Sequence, residues 1–202
     1  MKKLLFLFCC AFFSAIMSYG QAEVAIGIKG GLNFANINPN QSAGATYDSR
    51  TGYHFGAYTL LKFGKIGIQP EVLFSKQGTK YTISTTNVDA DFSYVNIPVI
   101  LKLYTVAGIN LQVGPQIGFV TGGDVKTTVS GAATSTQNAK DFVNGSDWSV
   151  AMGLGWDLPF GLNFAARYNL GLSNNNINGS TTTFKNQVFQ VSVGFNLIKL
   201  GK

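Results

Sequence analysis

Tyr94-Val95-Asn96-Ile97-Pro98-Val99-Ile100-Leu101-Lys102 alternates from Val95 onward. Val95, Ile97, Val99, Leu101 and Leu103 fall on one parity; Asn96, Pro98, Ile100, Lys102 and Tyr104 fall on the other. A period of two is that of a strand with two unlike faces. One face here is wholly apolar, and the other carries an amide, a charge and a proline. A soluble sandwich shows this pattern, and so does a membrane barrel with an oily outside and a wet inside. The surrounding chain decides between them.

Seven more stretches alternate in the same way, at residues 24–37, 52–63, 66–76, 109–120, 147–158, 162–172 and 187–197. Each is about the length that crosses a bilayer when tilted. The connections alternate between long and short. Residues 36–51, 77–91, 121–146 and 173–186 are polar and read as long loops, the second with Tyr81-Thr82-Ile83-Ser84 as a candidate extension of its strand beyond the membrane, while Gly64-Lys65, Val106-Ala107-Gly108 and Pro159-Phe160-Gly161 read as tight turns. On every strand one face is apolar and nearly free of charge. The other mixes Gly, Ala, Ser, Asn and Gln with a few charges. A water-facing side would be rich in Lys, Glu and Thr, so the small, weakly polar side belongs inside a narrow barrel. The expected fold is all-β, an eight-stranded antiparallel up-and-down transmembrane β-barrel. A lipocalin-like soluble barrel is the alternative. Trp148, Tyr53 and Tyr94 near the loop ends, with Trp156, Phe160, Phe63 and Tyr104 near the turn ends, are expected to form the interfacial girdles.

Composition agrees with this architecture. The 202 residues suffice for one domain, and only 12% are charged, against 46% hydrophobic; soluble domains carry about 25% charge. Lys2-Lys3, an apolar run over residues 4–17 and the small residues of Ser18-Tyr19-Gly20 predict a secretory signal peptide over residues 1–20, cleaved near Gly20/Gln21. A permanent N-terminal anchor is the alternative, and the run is short for one. The barrel domain is then 21–202. Cys9 and Cys10, the only cysteines, fall in the leader, so the mature chain has no disulfide or cysteine metal site. Loss of Lys2 and Lys3 lowers the formal charge from +6 to +4. The remaining lysines form no run, which speaks against nucleic-acid binding.

Several stretches resemble the PorT-like outer-membrane β-barrel family of Gram-negative bacteria. Ile28-Lys29-Gly30-Gly31-Leu32-Asn33 is similar to its first strand, the 94–102 stretch to its most recognisable motif, and Leu111-Gln112-Val113-Gly114-Pro115-Gln116-Ile117-Gly118 to the strand that follows. Ala165-Ala166-Arg167-Tyr168-Asn169-Leu170-Gly171-Leu172 and Asn186-Gln187-Val188-Phe189-Gln190-Val191 resemble its last two strands. The resemblance implies a porin-like or surface barrel in the outer membrane, both termini periplasmic. It also raises an accessory role in protein secretion, which fold alone does not transfer. Such barrels often end on an aromatic residue read by the assembly machinery. Here Phe195-Asn196-Leu197 is followed by five further residues.

The inward charges are Lys29, Lys62, Glu71, Lys102, Asp157 and Arg167. Inside a narrow barrel they must be paired or wetted. They either line a small pore or form a fixed network that plugs the lumen, and eight strands leave room for little beyond side chains. The Gly64-Lys65 turn sets Glu71 opposite Tyr58 and makes Lys102 the expected partner of Glu71. Pro70, Pro98 and Pro115 each remove a ladder donor. They are expected to form bulges whose free carbonyls meet Gln69, Gln112 or Gln116, or else a local gap in the wall. His54, the only histidine, makes no metal site alone. A hydrolytic triad with a loop serine and Asp48 or Asp147 has no supporting spacing. No enzyme activity, catalytic residue, cofactor or metal is implied.

The expected function is that of a small monomeric surface barrel acting through its loops. The alternatives are a narrow channel for small solutes and an accessory secretion factor. Expected partners are outer-membrane lipid and lipopolysaccharide, the barrel assembly machinery and periplasmic chaperones in transit, and a protein bound through the loops.

Overall fold

The computed structural model describes residues 22–39, 45–83, 86–129, 134–138, 146–172, 175–176 and 183–201. The predicted leader, 1–20, lies outside the described residues. Among the described residues eleven strands follow one another: β1 Ala22–Pro39, β2 Ala45–Phe63, β3 Ile66–Ile83, β4 Thr86–Tyr104, β5 Ile109–Gly122, β6 Asp124–Val129, β7 Ser135–Asn138, β8 Asp147–Asp157, β9 Leu162–Gly171, β10 Asn175–Asn176 and β11 Thr183–Leu200. Eight of them, β1 to β5 with β8, β9 and β11, pair antiparallel with their chain neighbours, and β1 pairs with β11 to close the ring. Closure gives both ladders of each of these strands a partner, the condition for crossing hydrocarbon.

The two faces separate as the parity predicts. Strand β5 runs exposed-buried-exposed-buried over its first eight residues. Phe55 is 55% and Leu154 56% exposed, and such side chains ring the molecule. In water this band would be a large aggregation surface; in a bilayer it is the lipid contact. The opposite parity is buried. Of the residues expected in the girdles, Tyr53, Trp148, Phe63, Trp156 and Phe160 face outward. The Trp156 indole also donates to the Ala107 carbonyl at 3.0 Å. Tyr94 and Tyr104 do not join them. Both are buried in the lumen, because they share the parity of Asn96 and Lys102, and strand parity overrides a placement based on residue type.

The strands are longer than expected at the end opposite the termini. Residues 77–83 and 86–91, expected mostly as a loop, continue the strands: β3 and β4 stay paired from Gln77↔Phe92 to Ile83↔Thr86. Strand β2 begins at Ala45 and pairs with the same extension. Within 121–146, β6 pairs with β4 and β7 with β6. The order β2-β3-β4-β6-β7 therefore continues as a sheet past the barrel rim. These segments are rich in Thr, Tyr and Val, which suit strands, but away from lipid neither face need be apolar, so hydrophobic alternation fades there.

The prolines form no bulges. Pairing of β3 with β4 lapses between Pro70↔Val99 and Leu73↔Asn96 and resumes with the offset unchanged. Likewise β4 and β5 resume at Leu101↔Val113 after Pro98↔Gln116. A proline withdraws one donor without adding a residue, so register survives. Register shifts occur instead at Ile26/Gly27, Ser49/Tyr53 and Ser93/Tyr94.

Tight curvature depends on inward residues without side chains. A Cβ on Gly56 would strike the Val72 carbonyl and approach the Leu73 Cα at 2.9 Å, whereas a Cβ on Gly122 would meet nothing within 4 Å. Gly56→Ala should therefore lower the temperature at which the compact, fast-migrating gel band is lost, and Gly122→Ala should leave it unchanged. Equal behaviour of the two variants would contradict this account of the wall.

Candidate functional site

The polar side chains of the lumen form three tiers. In the middle tier Glu71, on β3, has a fully enclosed carboxylate. Arg167 on β9 donates to it through Nη1 to Oε2 at 2.9 Å and Nη2 to Oε1 at 2.7 Å. Lys29 on β1 lies 3.2 Å from Oε2, and Gln69 Nε2 donates to Oε1 at 2.7 Å. Arg167 Nε also donates to Gln112 Oε1 at 2.6 Å, and Gln112 Nε2 to Asn110 Oδ1 at 2.7 Å. A guanidinium suits this place because its planar fork grips a carboxylate with two bonds while a third points elsewhere. Strands β1, β3 and β9 are not mutual neighbours, so the cluster spans the lumen from wall to wall. Gln69 and Gln112, expected to satisfy strand carbonyls beside the prolines, serve the charged groups instead, and Gln116 lines a cavity nearer the loops.

The expected partnership of Glu71 with Lys102 does not form. Register sets Lys102 opposite Gly67, four residues nearer the turn end than Glu71. Its carboxylate is Asp157 on β8, at 2.9 Å. Tyr104 donates its hydroxyl to the same carboxylate at 2.6 Å. This turn-end tier also holds Lys62, 3.6 Å from Glu23, with its ammonium 4.5 Å from the centre of the Tyr104 ring. Glu23 in turn takes Lys199 at 3.1 Å. Of the six charges singled out, Lys29, Glu71 and Arg167 meet one another, Lys102 meets Asp157, and Lys62 sits apart at the rim.

Glu23 and Lys199 were not singled out from sequence. Both lie just beyond the stretches of clear alternation; Glu23 keeps the inward parity of Lys29, while the shift at Ile26/Gly27 reverses the count along β11 that would have placed Lys199 beside it. Strand β11 runs on to Leu200, so the five residues after Leu197 continue the last strand for most of their length.

The third tier, toward the loops, surrounds His54. Its Nδ1 is 2.8 Å from Asn33 Oδ1 and its Nε2 3.0 Å from Ser192 Oγ. Serine, imidazole and an amide in this order is the connectivity of a nucleophile relay, with neither of the acids nor the loop serine considered from sequence. Ser192 and His54 are each at most 3% exposed, and Asn33 is further tied to Gln190 at 3.0 Å and Ser75 at 2.8 Å. A carbonyl carbon has no approach to the serine oxygen, and the arrangement serves as packing. Among the described residues no three His, Cys, Asp or Glu side chains converge to hold a metal. Above this tier lies a small cavity lined by Gln77, Tyr94, Asn96, Gln116, Asp147 and Asn169, among others.

Replacing Glu71 would leave Lys29 and Arg167 buried together with no shared carboxylate. Breaking a buried ion pair from one side typically costs about 3–5 kcal/mol. Glu71→Ala should accordingly lower the urea midpoint of the reconstituted barrel strongly. Asp157→Asn, at a partly exposed rim position, should lower it less, and Lys29→Met combined with Glu71→Ala should recover part of the loss. An unchanged midpoint for Glu71→Ala would refute the clamp.

The comparisons with known proteins agree with this architecture. Residues 18–176 match the family model described as outer membrane protein beta-barrel domain. No curated protein matches the chain. Among solved structures, Neisserial surface protein A (NspA) superposes with a TM-score of 0.55 at 11% identity, covering 86% of this chain and 99% of its own. Ail, the attachment invasion locus protein of Yersinia pestis, gives 0.51 at 13% identity, covering 89% and 99%. Its complex with the heparin analogue sucrose octasulfate gives 0.52 at 12%, with the same coverage. At these identities the likeness is one of fold: small closed barrels of eight antiparallel strands. The family match over most of the chain, together with a closed barrel whose outer face suits lipid, establishes that the protein belongs to the outer membrane protein beta-barrel domain family and so to a bacterial outer membrane.

Proposed function

We propose that the protein is a small, monomeric, non-enzymatic surface barrel whose lumen is closed to solutes and whose working surface is the sheet and loops at the loop end. The observation that carries this reading is the Arg167–Glu71–Lys29 cluster spanning the lumen. With the interior filled from wall to wall, the parts left to meet other molecules are the rim and the β2-β3-β4-β6-β7 extension. The long connections face the outside of the cell and the short turns the periplasm, as in bacterial barrels generally. Both ends of the mature chain are then periplasmic, after cleavage near Gly20/Gln21. Lipid and lipopolysaccharide surround the apolar band, and the assembly machinery and periplasmic chaperones handle the chain in transit.

The charge distribution bears on the choice of partner. By sequence, the loop-end segments carry six basic residues, Arg50, Lys76, Lys80, Lys126, Lys140 and Lys185, and six acidic ones, Asp48, Asp89, Asp91, Asp124, Asp141 and Asp147. The mature chain's excess of +4 therefore lies in the lumen and at the turn end. A polyanion such as the heparin analogue bound by Ail finds no net attraction on this outer surface. A protein or neutral glycan partner is the better match. The motif resemblance favours one further role, as a barrel accessory to protein secretion, and co-purification of export components from cross-linked envelopes would support it.

Planar-bilayer recording tests the sealed lumen. The native barrel should give no reproducible conductance steps. Glu71→Ala, which leaves Lys29, Lys102 and Arg167 against Asp157, should give small steps that prefer anions. Regular steps from the native protein would replace this reading with that of a solute channel. Protease treatment of intact cells should cut within the loop-end connections and spare the turns; the reverse pattern would overturn the orientation.

A further inference from the structure

Elsewhere in the described lumen the amide nitrogens find partners among amides, hydroxyls, backbone carbonyls and Glu71. Asn33, Asn110, Gln112, Asn163 and Gln190 all donate to named partners. At the loop end two do not. Asn96 on β4 and Asn169 on β9 are 2% and 4% exposed, yet Asn96 Nδ2 and both polar atoms of the Asn169 amide have no hydrogen-bond partner. Both side chains line the cavity beside Gln116, Tyr94 and Asp147. Buried polar groups are nearly always satisfied, and an orphaned one destabilises the fold. Two orphaned amides on the wall of a single cavity are the mark of a place prepared for an occupant.

The chemistry of the wall defines that occupant. The cavity has a volume of about 20 Å³ and is open on one side, enough to seat a water molecule or a hydroxyl group. Asn96 offers a donor and Asn169 a donor and an acceptor, and a hydroxyl, which both accepts and donates, answers them. Among the described residues no lysine or arginine lines the cavity and Asp147 does, so a sulfate, phosphate or carboxylate would enter without a counter-charge. Gly118 and Gly171 leave parts of the wall free of side chains, so that a hydroxyl can reach the amides while the rest of its ring stays outside. We propose that this loop-end cavity is a recognition site for the hydroxyl-bearing edge of a neutral sugar residue, held between the Asn96 and Asn169 amides. The inference rests on the reading of the loop end as the cell-exposed face. The sugar comes either from the cell's own lipopolysaccharide or from a free glycan, and the chemistry is the same.

The test uses the full mature barrel in a detergent without sugar groups. Saturation-transfer NMR would be recorded with the methyl glycosides of glucose, galactose, mannose and N-acetylglucosamine, and with sucrose octasulfate as the anionic control. Saturable binding of at least one neutral glycoside, and none of the octasulfate, is expected. Asn169→Ala and Asn96→Ala should each weaken it on the order of tenfold, the scale of one lost buried hydrogen bond, with heat-modifiable gel mobility retained to show that the barrel is folded. Displacement of the bound glycoside by lipopolysaccharide would assign the sugar to the cell's own surface, and its persistence would assign it to a free glycan. Absence of saturable binding by every neutral glycoside, or equal binding by both folded variants, would overturn the proposal and leave ordered water as the occupant. Because binding in detergent does not depend on orientation, a wrong orientation would show itself only in the intact-cell protease experiment.

Discussion

A peptide group facing hydrocarbon without a partner is prohibitively unstable, and every other property of this barrel follows from meeting that condition with strands. A sheet that crosses a membrane has to close. Closure with eight strands leaves an interior only as wide as its own side chains. Lipid claims one parity of each strand and the narrow lumen receives the other. The usual relation of a soluble protein, oil inside and charge outside, is thereby inverted, and the structural burden moves to polar groups that must satisfy one another in a confined space.

Glu71 shows how tightly that space is coupled. Its carboxylate receives Arg167, Lys29 and Gln69 from three strands, and Arg167 passes the constraint through Gln112 to Asn110. The prolines become intelligible beside it. The pairing gap between Pro70↔Val99 and Leu73↔Asn96 lies at the height of Glu71, so the wall loses ladder bonds where the lumen has its strongest cross-links. The cluster holds the wall together from within at the place where the sheet itself is weakest.

Much of this is legible from alternation alone. Parity in residues 95–104 assigns Asn96, Lys102 and Tyr104 to the inside, and the two-residue turn at Gly64-Lys65 fixes Tyr58 against Glu71. Partnerships across the lumen are not legible in this way. Which of Lys29, Lys102 or Arg167 reaches Glu71 depends on the stagger between strands that never touch, and a local pattern carries no record of stagger. The extensions beyond the rim were hidden for a different reason. A strand announces itself by the contrast between its faces, and the stretch from Gln77 to Asp91 has left the medium that enforces contrast. Its Thr, Tyr and Val content is the remaining signal, and taken alone that signal also fits a polar loop. Glu23 and Lys199 fell at the margins of two strands: Glu23 one residue before the alternation begins, and Lys199 beyond a shift that reverses the meaning of parity on β11.

The same inversion bears on where function can reside. In a soluble enzyme an unpaired polar group in a cleft is a sign of work to be done, because the surrounding core is apolar. In this lumen polar groups are the packing material, and His54 between Asn33 and Ser192 shows that a catalytic-looking connectivity arises from satisfaction alone. The informative feature is therefore the polar group left without a partner. Gln69 Oε1 is one such atom, but it belongs to a side chain already committed to Glu71. Asn96 and Asn169 differ: neither is engaged in a charge cluster, they stand on separate strands, and they share one cavity at the end of the barrel farthest from the termini. Below the mouth the described lumen leaves open one amide oxygen, on a side chain that Glu71 already holds, whereas at the mouth two amides stay open on the wall of one cavity, and that contrast directs the loop end outward.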